Sequence, residues 1–148
     1  MFKKIQIMSL LMFNDYCRCK NITDSTVDDL KKSCFISITD NESVSIFNSN
    51  HSNVLLLKVL DINKEILDVR RNKILKPMTT EQGLNIIDFI DSNRDRNFIV
   101  HCLAGVSRSG AVGQFIQEYL GLDYDEFVKH NPNILPNRYI LNLLRDLS

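Results

Sequence analysis

The run from Phe98 to Gly121 constrains this chain more than any other stretch. Phe98-Ile99-Val100 reads as a short buried strand. A loop of mostly small residues follows, His101-Cys102-Leu103-Ala104-Gly105-Val106-Ser107-Arg108-Ser109-Gly110. A helical pattern then runs through Val112, Phe115, Ile116 and Tyr119 until Gly121 stops it. Where a buried strand feeds a helix in this way, ligands bind beyond the strand's carboxyl end, against the free N–H groups of the helix N-terminus. The five residues between Cys102 and Arg108 suffice to wrap one turn of backbone amides around an anion. Gly105 relieves crowding in that turn. Arg108 offers a planar fork suited to two phosphate oxygens. It sits at a helix start, where the dipole disfavours a cation, and so calls for an anion partner. The same surroundings depress the pKa of Cys102. A thiolate beneath an oxyanion cradle is a nucleophile aimed at tetrahedral phosphorus.

The remaining punctuation predicts alternating strands and helices. Ile5 to Leu11 reads as a buried first strand, and Ser25 with Asp28 starts a short helix over Thr26 to Lys32. Cys34 to Ile38 is a strand ending at the turn Asp40-Asn41, and Ser43 to Phe47 is an edge strand or loop. Val54 to Leu60 is almost continuously apolar, as in a strand covered on both faces. Asp61 to Pro77 is a charged connection long enough to be functional. Thr79 with Gln82 forms a capping box for a helix ending near Ser92. Asp123 with Glu126 caps a short helix that Pro132 ends, and Tyr139, Ile140, Leu143, Leu144 and Leu147 form a closing amphipathic helix. The expected architecture is one α/β domain over residues 1–148, a single layer of largely parallel sheet with helices on both faces.

Composition removes several function classes. Lys+Arg and Asp+Glu both number 18, so the chain lacks the basic excess of a nucleic-acid binder. No apolar run approaches the ~18 residues of a membrane span, so no membrane partner is expected. Cys17, Cys19, Cys34 and Cys102 are too few and too irregular for a disulfide framework. Cys17-Arg18-Cys19 offers half a metal site, with no second Cys or His pair at zinc-ligand spacing. These residues read as free thiols in a reducing compartment, and neither metal nor other cofactor is expected. The start, Met1-Phe2-Lys3-Lys4 and then Ile5 to Phe13, has the outline of a signal peptide. Gln6 and Ser9 interrupt its apolar run and no small-x-small cleavage site follows, so the cytoplasm is expected (the host's, if the source is viral).

The stretch His-Cys-x-x-Gly-x-x-Arg-Ser, residues 101–109, resembles the signature of the cysteine-dependent protein tyrosine and dual-specificity phosphatases. Asp61 after its strand, the capped helix, Asn131-Pro132-Asn133 and Leu135-Pro136-Asn137-Arg138 resemble the small phosphatase-like proteins of bacteria and viruses. The similarity runs over residues 35–148 and implies a phosphatase-like fold. It implies Cys102 as a nucleophile that forms a phosphocysteine. Arg108 and the amides of Leu103, Ala104, Gly105, Val106 and Ser107 would hold phosphate, and Ser109 would help the sulfur leave. His101 would support the loop, while Asn137 and Arg138 would brace it or serve as a helix cap and a solvated face. His51 and His130 carry no signal.

An Asp on a preceding loop would protonate the leaving oxygen. Asp68 lies 34 residues before Cys102 and Asp61 lies 41 before it. The resemblance favours Asp68 by its separation, but it also implies an acid directly after the apolar strand, as Asp61 is, and loop extension is cheap, so Asp61 is preferred. Members of the resembling family that act on phosphoinositides often carry Lys in this loop, and RNA-triphosphatase members carry polar and Asn residues; with Leu103, Ala104, Val106 and Ser107 uncharged, the resemblance implies neither substrate. The expected substrate is a phosphorylated protein or peptide, carrying either phosphotyrosine alone or phosphoserine and phosphothreonine as well, acted on by a monomer. The rival readings are a sulfurtransferase or arsenate reductase using the same Cys loop, and a phosphopeptide-binding module that turns over weakly.

Overall fold

The computed structural model describes residues 4–148. Four strands, β1 (Ile5–Met8), β2 (Ser33–Thr39), β3 (Val54–Lys58) and β6 (Asn97–His101), form one sheet in the order β1-β6-β2-β3. All three pairings are parallel, with Ile5 opposite Phe98, Cys34 opposite Phe98 and Phe35 opposite Val54. Five helices flank it: α1 (Leu10–Cys19), α2 (Thr80–Ser92), α3 (Arg108–Tyr119), α4 (Tyr124–His130) and α5 (Arg138–Leu147). The expected α/β architecture is therefore the observed one. Alternation along the central strands divides the core in two. Cys34, Ile36 and Ile38 of β2 and Phe98 and Val100 of β6 pack against α2, α3 and α5. Phe35 and Ile99, pointing the other way, pack against Phe13 and Cys17 of α1.

The N-terminal segment departs from expectation. The strand read as Ile5 to Leu11 ends at Met8, and a helix takes over two residues later. Ser9 makes the switch: its backbone stays extended at φ −71°, ψ 165°, and its Oγ accepts a hydrogen bond from the Met12 amide at 3.2 Å. One apolar run thus serves two periods, and only Phe13 and Cys17, four residues apart, are buried along α1. The helix turns Cys17 into the core and leaves Cys19 exposed, so the two thiols do not converge. Met1-Phe2-Lys3, weighed above as part of a signal-like start, lie outside the described residues.

Other differences are local. The helix expected over Thr26 to Lys32 is a single 3-10 turn, Val27–Asp29, which Leu30 ends by turning extended. Of the two alternatives for Ser43 to Phe47 the loop is the one observed, and within it Phe47 is buried against Phe13 and Phe35. Val54 to Leu60 is an edge strand ending at Lys58, paired with β2 alone, and Leu55 and Leu56 are only half-buried. The connection 61–77 contains an antiparallel hairpin, β4 (Ile66–Asp68) and β5 (Lys73–Leu75). The Thr79/Gln82 capping box and the Asp123 cap form as expected. No helix among the described residues is long and apolar enough to cross a membrane.

Phe13 is the keystone of the smaller core half. It meets Phe35 and Phe47 edge-on, each at 6.1 Å between ring centroids, and stacks on His101 at 4.1 Å. Phe13→Ala should destabilise the domain by about 3–5 kcal/mol, the usual cost of emptying a buried aromatic site. Urea unfolding checks this; a loss below about 1 kcal/mol would mean that α1 contributes little to the core.

Candidate active site

Cys102 follows β6 directly and is 2% exposed. Its Sγ lies 3.0 Å from Ser109 Oγ and accepts a hydrogen bond from the Gly105 amide at 3.3 Å. Burial on its own pushes this thiol up. The Ser109 hydroxyl and the amides of Ser109, Gly105 and Val106 outweigh burial, and its pKa falls below the usual thiol value. Cys17 and Cys34 lack such donors, and burial pushes both up to about 12. The acidic cysteine is the one in the loop.

Arg108 opens α3 and is 6% exposed. Its Nη1 donates to the Val59 carbonyl at 2.9 Å and to Asp40 Oδ2 at 3.3 Å. Asp40 is held in turn by the Glu42 amide at 2.9 Å and the Ser43 hydroxyl at 3.0 Å, both onto Oδ1. Burial raises the Asp40 pKa, but these hydrogen bonds and the Arg108 charge prevail and lower it on balance. One side of the guanidinium is thereby fixed. Its Nε is buried and has no partner among the described residues. An orphaned donor of this kind is costly unless a ligand satisfies it. The amides of Leu103, Ala104, Ser107 and Arg108 likewise find no acceptor among the described residues. Unspent donors beside an acidic thiol describe a receptor for a multidentate oxyanion.

Neighbouring elements hold the loop's shape. Gly105 has φ +73°, and a Cβ there would lie 2.5 Å from the Ser9 amide nitrogen and 2.6 Å from the Met8 carbonyl carbon. Only glycine fits, because the loop rests on the junction of β1 and α1. That junction also donates from the Leu10 amide to the Leu103 carbonyl at 3.1 Å. Across the loop, the Leu135 and Asn137 amides donate to Val106 and Ser107 carbonyls, each at 3.0 Å. Beneath it, His101 is fully buried, and burial with the nearby Arg108 charge lowers its pKa to about 4. Its neutral ring places Nδ1 3.2 Å from the Cys102 carbonyl, so Nδ1 carries the proton. Nε2 lies 2.5 Å from the Ser37 hydroxyl oxygen.

The two candidate acids lie in different places. Asp61 Oδ1 accepts from the Ser107 hydroxyl and from Asn137 Nδ2, both at 2.8 Å, so its carboxylate is tied to the loop. Asp68 lies on β4, where it accepts from the Arg71 amide at 3.3 Å and faces the Arg71 guanidinium at 3.8 Å. The segment that carries it is a short strand. Asn137 combines both suggested roles, capping α5 through the Ile140 amide and bracing the loop, whereas Arg138 is exposed.

Sequence reasoning missed Asp40, which reads as an ordinary turn residue. Its signal was available: a carboxylate just beyond a parallel strand's carboxyl end, where such sheets place ligand-directing groups. It also missed Ser9-Leu10 and Ser37, whose contacts with the loop and with His101 are long-range and leave no local pattern.

No protein-family model matches the chain, and no curated protein does. Solved structures do. The chain is similar to DUSP15, at TM-score 0.57 and 17% identity over 98% of this chain and 83% of that one. It is similar to the PTP-2 phosphatase of Cydia pomonella, at TM-score 0.55 and 17% identity over 98% and 86%. The human tyrosine phosphatase-like serine/threonine/tyrosine-interacting protein matches at TM-score 0.54 and 18% identity over 97% and 89%. The chain has the dual-specificity phosphatase fold.

The thiol environments order the cysteines by reactivity. Alkylation near neutral pH, and reversible oxidation by peroxide, should reach Cys102 well before the other three, because thiolate is the reactive form. Mass spectrometry on briefly treated protein reads the order; earlier modification of exposed Cys19 would contradict it.

Proposed function

We propose that this protein is a cysteine-dependent phosphatase that hydrolyses phosphotyrosine in proteins or peptides. The observation that carries this reading is the buried, unpartnered Nε of Arg108, set among unpaired loop amides around an acidic cysteine. A phosphoryl group supplies oxygens for those donors and places phosphorus over the sulfur. The fold shared with known phosphatases supports the reading, and so does the link between Asp61 and the loop.

In the proposed reaction, Cys102 Sγ attacks phosphorus in line with the leaving oxygen. The P–S bond forms as the P–O bond breaks, and Asp61 gives its proton to the departing phenolate oxygen. The loop amides and the fork of Arg108 follow the equatorial oxygens, where charge spreads in the transition state. The Asp61 carboxylate then takes a proton from water, whose oxygen attacks phosphorus. The P–S bond breaks, phosphate leaves, and the Ser109 hydroxyl stabilises the thiolate. Asn137 keeps Asp61 in place through both steps. Every atom in this sequence comes from the chain, the substrate or water.

Cys102→Ser should abolish turnover of p-nitrophenyl phosphate while still binding phosphopeptide, and a chelator should leave wild-type turnover unchanged. Arg108→Lys should be nearly as damaging as Arg108→Ala, since lysine keeps the charge and loses the fork. More than trace activity in Cys102→Ser would overturn the phosphocysteine route.

Asp61→Asn should slow phosphotyrosine hydrolysis by roughly 10²-fold or more and flatten the falling alkaline limb of the rate profile, because the acid must be protonated for the leaving group to depart. p-Nitrophenyl phosphate, with its more acidic leaving group, should suffer less in that step. An intact profile in Asp61→Asn, with these effects appearing in Asp68→Asn, would transfer the role to Asp68.

A further inference from the structure

A second cleft lies beside the candidate site. Its volume is about 420 Å³, and it is bounded by the Asp40–Glu42 turn on one side and the tip of the β4–β5 hairpin on the other, with Leu60 and Leu75 also lining it. Two of its residues belong to the site's own framework. Asp40 holds Arg108, and Leu60 stands between Val59, whose carbonyl also holds Arg108, and Asp61. The cleft therefore adjoins the residues that hold Arg108.

The charges of the cleft are unevenly spent. Asp40 is committed to Arg108 and to its own turn. Arg71 lies 3.8 Å from Asp68 and 3.9 Å from Glu42, so one cation serves two carboxylates. Arg70 is exposed, lines the cleft, and has no carboxylate within salt-bridge distance among the described residues. The connection 61–77 carries five cations, Lys64, Arg70, Arg71, Lys73 and Lys76, against the three carboxylates Asp61, Glu65 and Asp68. In a chain whose charges balance overall, this segment carries a positive excess, and across the cleft its arginines face the turn that holds Asp40 and Glu42.

We infer that Arg70 is a specificity-determining residue that receives an anionic side chain flanking the phosphorylated residue of the substrate. This rests on the phosphatase reading above. The anion is an acidic residue or a second phosphorylated one, since both present the oxygens that a guanidinium fork binds. Leu60 and Leu75 add apolar surface to the same cleft.

The test uses the full chain and matched phosphotyrosine peptides in which one flanking residue is Lys, Asp, Glu or phosphoserine, placed in turn at each position near the phosphotyrosine. At one or more positions, kcat/KM should favour the acidic peptides over the lysine peptide by about three- to fivefold, the scale of an exposed ion pair. The preference should fade in high salt. Phosphoserine exceeding Asp and Glu would identify a second phosphate as the natural anion; equality would identify an acidic residue. Arg70→Glu should erase or invert the preference and leave turnover of p-nitrophenyl phosphate unchanged, because that substrate does not reach the cleft. Equal rates on all peptides, or a preference that survives Arg70→Glu, would overturn this assignment while the phosphatase reading stood. Failure of the wild type to hydrolyse p-nitrophenyl phosphate and every peptide would overturn both.

Discussion

A thiol made acidic while almost wholly shielded from water is the constraint on which the rest of the structure depends. Burial opposes ionisation of Cys102, and only donors aimed at the sulfur reverse that. Those donors are backbone amides and one hydroxyl, so they exist only while the loop keeps its shape. The loop cannot keep that shape alone, since its own amides either point at the sulfur or have no acceptor among the described residues. Its carbonyls are therefore held from outside, by amides of Leu10, Leu135 and Asn137. Residues more than 90 positions apart in sequence thus meet on one short turn.

The cation of the site is fixed by the same kind of division. A guanidinium has enough donors to be anchored and still bind. Nη1 of Arg108 is used on Asp40 and Val59, and its buried Nε keeps no partner among the described residues. Asp40 can serve as anchor because its turn supplies a hydrogen bond from an amide and another from Ser43. The anchors come from the ends of β2 and β3, so the parallel sheet aligns its strand ends with the helix that carries Arg108. The hairpin after β3 then brings its own cations to the rim, adjoining the turn that contains Asp40.

Helix α1 connects the core to this arrangement. Phe13 joins Phe35 and Phe47 in the smaller core half and stacks on His101, which sits directly under Cys102. The neutral histidine spends its ring proton on the Cys102 carbonyl. Packing on the α1 face is in this way transmitted to the residue that starts the loop. It also explains why a histidine there is structural: a ring buried to this degree, with its pKa pushed down to about 4, carries no charge near neutral pH.

The sequence by itself determined the α/β class, the helix caps at Thr79 and Asp123, and the loop of residues 102–109 with its cysteine, glycine and arginine. Each of these depends on neighbours within a few positions, and local spacing carries local physics: a capping box, a strand running into a helix start, a glycine where the backbone turns left-handed. Tertiary structure alone decided the rest. The switch from strand to helix at Ser9 lies inside one apolar run, where composition does not tell period two from period 3.6. The edge position of β3 depends on which strands pair, and its apolar run reads equally well as a central strand. Asp61 and Asp68 are both acids at plausible separations; what separates them is that Ser107 and Asn137 reach the first, while a hairpin arginine faces the second. Asp40 shows the limit most plainly. Its partner is 68 residues away, and no pattern along the chain can register a contact that exists only because two strand ends and a helix start converge in space.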